Sequence, residues 1–321
     1  MPRKAPFLEY LEEYERRLVH RSGHTRDKYP RTLRSIWRTA QELGVKSTRS
    51  PRRWTREEIS MLVEARRWRQ NGGLKSNQTI RHELHILSRF LRFCGNVEMQ
   101  AMLDWGELAL PPDTVVNARW LSLDDVVRLR VQSRKDGDHV ALLIVQLGLD
   151  ALLRAGEMAA LTLSDIHGDH ITVRQGKGRK DRLVSIRTRT WLDVQEYVDA
   201  YRSRLPGAHL SDALLAHSRT TTGPPAPYSP KTLGVRVREL GRRCDPPLDV
   251  SPHDLRRSGG MLAYVASPTD QTVRDLQAAY GHKTTEQTRR YIGAAVVDQR
   301  RTFQARDEMY MRLYPEEFGQ P

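Results

Sequence analysis

The chain has 321 residues, of which 38% are hydrophobic, 7% aromatic and 29% charged. Its 53 Lys and Arg against 39 Asp and Glu give a net charge of +14, an excess that favours a polyanionic partner because each neutralised phosphate releases condensed counterions. No run of 18 apolar residues suits a membrane span, the N-terminus lacks a signal-like apolar stretch, and Cys94 and Cys244 have no metal-ligand spacing; membrane proteins, disulfide scaffolds and zinc ribbons are therefore excluded, and the cytoplasm is the expected compartment.

The length predicts two domains. Residues 1–103 read as four or five helices. Phe7, Leu8, Leu11, Tyr14 and Leu18 recur at helical spacing, and Leu33, Ile36, Trp37 and Ala40 mark a second helix over about 25–43. Thr55 and Glu58 form a capping-box signal for a third helix, to about Gln70, and Asn71–Gly72–Gly73 breaks it. Ile80, Leu84, Leu87 and Leu91 place a fourth over 77–93. Between these apolar positions lie arginine rows: Arg31, Arg34 and Arg38; Arg66, Arg67 and Arg69; Arg81, Arg89 and Arg92. Such rows are either solvated faces or phosphate contacts. Residues 1–116 hold 22 Lys and Arg against 14 Asp and Glu, and that excess favours Arg34, Arg38, Arg81 and Arg89 as DNA contacts.

Residues 104–119 lose periodicity around Pro111–Pro112 and read as a linker to a second domain over 120–321. Ser122 and Asp125 cap a helix, and 139–153 is apolar enough for a core helix. Period-two alternation predicts an antiparallel pair at 171–174 and 183–186, joined by the basic turn Gln175-Gly-Lys-Gly-Arg-Lys-Asp-Arg182. Helices are predicted again at about 190–203, 230–244, from Ser251, and in two or three further segments that include a C-terminal tail helix. The expected fold is mainly α with one small antiparallel sheet.

Four segments carry chemistry. Arg154 and Glu157 lie three apart, as in a buried ion pair that holds a turn. Ser251 and Pro252 start a helix whose first turn puts His253 and Arg256 on one face, either as a capped surface helix or as an oxyanion site. Lys177, with Lys180 as the runner-up, sits in the glycine-bearing turn, and Tyr291 follows His282 by nine residues. His82 and His85 lack metal-protease spacing, and His167 and His170 are a chance pair in a turn; no metal site is expected.

LLRAGEMAALTLSDI, QGKGRKDRLVSI, SPHDLRR and YGHKTTEQTRRYIG, in that order, resemble the tyrosine recombinases, the family of phage-type integrases and Xer-type resolvases. The resemblance covers about 118–293 closely and the helical first hundred residues loosely. It implies a two-domain, C-shaped clamp on double-stranded DNA, acting as a homo-tetramer on paired sites and free as a monomer or dimer, without cofactor. By position, Arg154 and Arg256 match the phosphate-clamping arginines and Lys177 the hairpin lysine. His253 and His282 match the two histidine positions, Tyr291 the nucleophile, and Glu157 a supporting acidic position. The chain departs from the family at Ala151–Leu152–Leu153, where Thr-Gly-Leu is usual, at Gly156, where a small polar residue is common, and at Gly259–Gly260, where a helix-forming Phe-Ala pattern is usual. Integration or excision of a mobile element is the reading favoured; dimer resolution, a type IB topoisomerase and a non-catalytic DNA-binding regulator are the alternatives. Val296, Val297, Phe303, Tyr310, Leu313 and Tyr314 form a tail stripe that packs on its own domain or on a neighbouring copy.

Overall fold

A computed structural model describes residues 5–21, 23–46, 48–68, 73–111, 119–174, 181–218 and 220–313. The chain divides into two compact units, residues 1–116 and 117–321.

In the first unit, α1 (Pro6–Arg17), α2 (Gly23–Glu42), α3 (Arg56–Ala65), α4 (Asn77–Phe93) and α5 (Glu98–Asp104) enclose an aromatic core. Phe7 stacks on Trp37 at 4.7 Å and meets Phe90 at 4.9 Å. The four apolar positions expected to face inward from α4 are all buried. Thr55 and Glu58 exchange the two capping hydrogen bonds that start α3. That helix stops at Ala65, short of the expected Gln70. Arg66 turns inward there, donating to Glu83, Ser35 and Thr39, so one member of the arginine rows holds the core together. Leu108 is buried with this unit's core, so the aperiodic segment begins inside the unit.

The second unit is built on α7 (His139–Leu149), whose residues from Val140 to Leu149 are all buried. Around it pack α6 (Leu123–Lys135), α9 (Thr188–Ala200), α10 (Pro230–Arg243) and α11 (Pro252–Ala266). The short α8 (Ala155–Ala160) follows α7 in the chain and packs on α10; after it comes the antiparallel pair β1 (His170–Val173) and β2 (Arg182–Ser185), where Ile171 faces Val184. A second ladder of two-residue strands, β3 (Ala216–His217) and β4 (Ala226–Pro227), was not expected; strands this short show no period. α12 (Asp270–Tyr280), α13 (Thr285–Ile292) and α14 (Ala294–Leu313) complete the unit.

Two departures from the expected pattern have physical explanations. α7 ends at Leu149 rather than running to 153, because Leu152 adopts φ 52°, a left-handed conformation that costs a non-glycine residue about 1–3 kcal/mol. This is the point at which the resembling family usually carries glycine. Leu152 is held there by burial of its side chain among Met261, Tyr264 and Tyr280, and its carbonyl accepts from Arg256. Gly259–Gly260 leaves α11 unbroken over 15 residues. A Cβ on Gly259 would lie 1.9 Å from the Leu149 carbonyl oxygen, so the glycine lets α11 close onto the end of α7.

Ala294 and Val297 of α14 are buried, whereas Phe303, Met309 and Met311 are exposed. Past its first turn, the tail stripe finds no cover among the described residues. Tyr310, Leu313 and Tyr314 lie outside the described side chains.

Candidate active site

The site gathers on the C-terminal end of α12. The last carbonyls of a helix lack intrahelical donors and carry the negative end of its dipole. Here those carbonyls meet arginines. Arg182 Nε donates to Ala279 O at 2.9 Å, and Arg154 Nη2 and Arg256 Nη2 donate to Tyr280 O at 3.2 and 2.8 Å. The same three guanidiniums share one carboxylate. Glu157 accepts from Arg154 Nη1 at 2.8 Å, from both terminal nitrogens of Arg182 at 3.1 and 2.9 Å, and from Arg256 Nη1 at 3.4 Å. Burial by itself would raise the Glu157 carboxyl, but the Arg182 hydrogen bond, the Arg154 backbone N–H and the nearby guanidinium charges hold it below its ordinary value. Glu157 is thus ionised, and three cations against one anion leave the site net positive.

Arg256 is 1% exposed, and burial, then repulsion from Arg154, lowers it to about 10; it remains cationic at neutral pH. Its carbonyl contacts and the Glu157 bond use three of the five donors of a guanidinium. Arg154, with a third of its side chain exposed, offers the more open edge.

Ser251 and Asp254 exchange the capping bonds that start α11, with Pro252 in the first helical position. This places His253 against Tyr291, whose hydroxyl lies 3.4 Å from His253 Nδ1. Burial, then the Arg257 charge, lowers His253, so at neutral pH it is an uncharged imidazole able to accept a proton. Burial raises Tyr291 despite the opposing charges of Arg256 and Arg257, so the phenol keeps its proton at rest. Gly281 ends α12 in a left-handed cap and turns the chain into His282. The His282 ring stacks on Tyr280 at 4.9 Å and meets Tyr291 edge-on at 5.2 Å, with Nδ1 3.1 Å from Thr288 Oγ1.

Arg154, Glu157, His253, Arg256, His282 and Tyr291 therefore converge. Lys177 and Lys180 lie outside the described residues. Of the expected DNA contacts, Arg38 and Arg89 are exposed, Arg34 pairs with Glu15 at 2.5 Å, and Arg81 donates to Pro111 O at 2.6 Å and is partly buried. His167 and His170 stack on each other at 4.4 Å beside β1.

Residues 119–296 match the phage integrase family. The chain belongs to that family. Tyrosine recombinase XerA of Pyrococcus horikoshii is 28% identical over 151 residues, which are 46% of this chain and 48% of that one; this integrase-family chain spans about half the length of the curated relatives it matches. Among solved structures, the Tn1549 transposon integrase in complex with circular intermediate DNA aligns with a TM-score of 0.65 at 15% identity, covering 92% of this chain and 99% of that one. A lambda integrase dimer bound to a COC′ core site aligns with a TM-score of 0.62 at 17% identity, covering 89% and 76%. The mainly α, small-sheet architecture is that of tyrosine recombinases.

Three residues of this integrase-family site escaped sequence reasoning. Arg182 was read only as the end of a basic turn, yet it shares a strand face with buried Val184, and its period-two placement is the signal that singles it out from the other cations of that turn. Tyr280 showed no signal beyond its neighbours Gly281 and His282. Arg257 lies with Cζ 5.2 Å from the Tyr291 ring centroid, and its buried Nε has no hydrogen-bond partner among the described residues.

Proposed function

We propose that this chain is a site-specific DNA recombinase that cuts and rejoins double-stranded DNA through a 3′-phosphotyrosyl intermediate on Tyr291. The observation that carries the reading is the Tyr291 hydroxyl, set 3.4 Å from a neutral His253 on the helix turn that also carries Arg256. A phosphodiester repels anionic nucleophiles, and its pentacoordinate transition state gathers further charge on the non-bridging oxygens; Arg154 and Arg256 neutralise that charge. The Tyr291 oxygen attacks phosphorus while its proton passes to His253. The bond from phosphorus to the 5′ oxygen breaks, and Lys177 protonates the leaving oxygen. His282 borders the same phosphate, and Glu157 holds the arginines in place. The phosphotyrosine conserves the energy of the phosphodiester, so a 5′-hydroxyl reseals the strand by the reverse path without ATP.

Recombining two duplexes exchanges four strands and calls for four nucleophiles, hence a homo-tetramer on paired sites assembled from free monomers or dimers. Both units contact DNA, with Arg34, Arg38, Arg81, Arg89 and Lys180 on the phosphates. Two cysteines, both buried and unbridged, suit work in the cytoplasm, and among the described residues no helix is long and apolar enough to cross a membrane. Integration and excision of a mobile element is the favoured role.

A nicked duplex that traps the adduct tests this. The wild-type chain is expected to become covalently attached to DNA selected from a pool of random nicked duplexes, and Tyr291→Phe to lose attachment completely. Attachment that persists in Tyr291→Phe, or none by the wild type, would remove the reading.

A further inference from the structure

Tyr280 touches Arg154, Arg256, His282 and Tyr291, yet the reaction above gives it no role. Its ring is fully buried. Arg256 Cζ lies 4.5 Å from its centroid, His282 stacks on it at 4.9 Å and 19°, and Tyr291 meets it edge-on at 5.0 Å and 74°. These are the favourable geometries of cation–π, stacked and T-shaped pairs. Its backbone carbonyl accepts from Arg154 and Arg256, and its hydroxyl donates to the Arg256 carbonyl at 2.9 Å. Burial raises this phenol well above its ordinary value, so it stays a neutral donor and does not compete with Tyr291 as a nucleophile.

α11 is shaped to receive the ring. A Cβ on Gly260 would lie 1.8 Å from the Tyr280 hydroxyl oxygen, 2.7 Å from Cζ and 3.0 Å from Cε2. Any side chain at 260 would push the ring out of the turn that carries Arg256. The glycine is therefore the opening in α11 through which the phenol reaches the Arg256 carbonyl.

We propose that Tyr280 is a positioning residue: its ring is the common wall that sets Arg256, His282 and Tyr291 relative to one another, and Gly260 is the gap that admits it. The catalytic readout rests on the recombinase reading above; the placement itself does not. A tyrosine ring has only two side-chain torsions, so a buried one is a stiff spacer, and misplacing reacting groups by about 1 Å is enough to cost about a hundredfold in rate.

Four variants test this on the full chain. Tyr280→Leu is expected to slow Tyr291 adduct formation about a hundredfold with DNA affinity unchanged. Tyr280→Phe, which keeps the wall, is expected to recover most of the rate. Gly260→Ala lowers both the melting temperature and the rate, because its methyl displaces the ring. Combining Gly260→Ala with Tyr280→Leu relieves the clash, so the melting temperature rises above that of Gly260→Ala alone while the rate stays at the Tyr280→Leu level. If the rate returned together with the melting temperature, or if folded Tyr280→Leu cleaved like the wild type, Tyr280 would be packing only and the proposal overturned. NMR of the His282 imidazole without DNA separates this proposal from the recombinase reading. Loss of the stacked ring moves its C–H signals downfield in Tyr280→Leu, and unchanged signals overturn the placement whether or not the chain cuts DNA.

Discussion

In the first unit Arg38 and Arg89 stand on exposed helix faces, whereas in the second Arg154, Arg182 and Arg256 turn onto the single carboxylate of Glu157 and the last carbonyls of α12. The same side chain thus works under two regimes. On an exposed face a guanidinium stays hydrated and its position is set by its helix alone. In the buried cluster each loses hydration that only fixed acceptors restore, so the three are ordered before any phosphate arrives. Arg66, drawn onto Glu83 with both side chains mostly buried, shows that the first unit also uses the second regime, for structure.

The sharpest way to break this contrast is Glu157→Ala. Removing the common acceptor leaves buried guanidiniums uncompensated, at a cost of about 3–5 kcal/mol in urea unfolding. A loss below about 1 kcal/mol would mean that the carbonyls of α12 suffice. Next comes Arg182→Ala, expected to cost about 2–3 kcal/mol because two charged hydrogen bonds to Glu157 and one to Ala279 disappear. Arg182→Lys should recover little of this, since an ammonium cannot reproduce the two-pronged contact; full recovery would reduce Arg182 to a mere charge.

Acid pH probes the other side of the site. Because His253 titrates below the ordinary 6.5, the unfolded chain binds a proton there before the folded one does. The neutral-imidazole contribution to stability is therefore complete above pH 6.5 and is lost as pH falls through the lowered folded value. Cleavage should decline over the same acid range, and His253→Gln, slower throughout, should flatten that limb of the pH–rate profile. An acid limb unchanged in the variant would assign it to another group. The smallest effect belongs to the exposed set. Arg38→Ala should change stability by no more than about 0.5 kcal/mol, yet lower the salt dependence of DNA binding by about one counterion. A larger stability loss would move Arg38 into the buried regime.

Local chemistry was legible in advance. The caps at Thr55, Ser122 and Ser251, the inward stripe of α4 and the antiparallel pair on either side of the basic turn each follow from neighbours a few residues apart. So did the order of Arg154, His253, Arg256, His282 and Tyr291 along the chain. Less legible were the left-handed Leu152, the two-residue ladder of β3 and β4, Arg182 as a partner of Glu157 across 25 positions, and Tyr280 as a wall of the site.

By itself, then, the sequence determined which residues are candidates for the chemistry and that His253 and Arg256 share the start of one helix, because periodicity, capping and turn residues act within one or two turns of chain. Tertiary structure decided which of them meet. Arg154 reaches Tyr280 across 126 positions and Arg256 reaches it across 24, through bonds to backbone carbonyls that every residue has and no side-chain pattern encodes. The shape of the site is set where α12 ends and where glycines in α11 let other elements close in, and those are properties of packing rather than of any one segment.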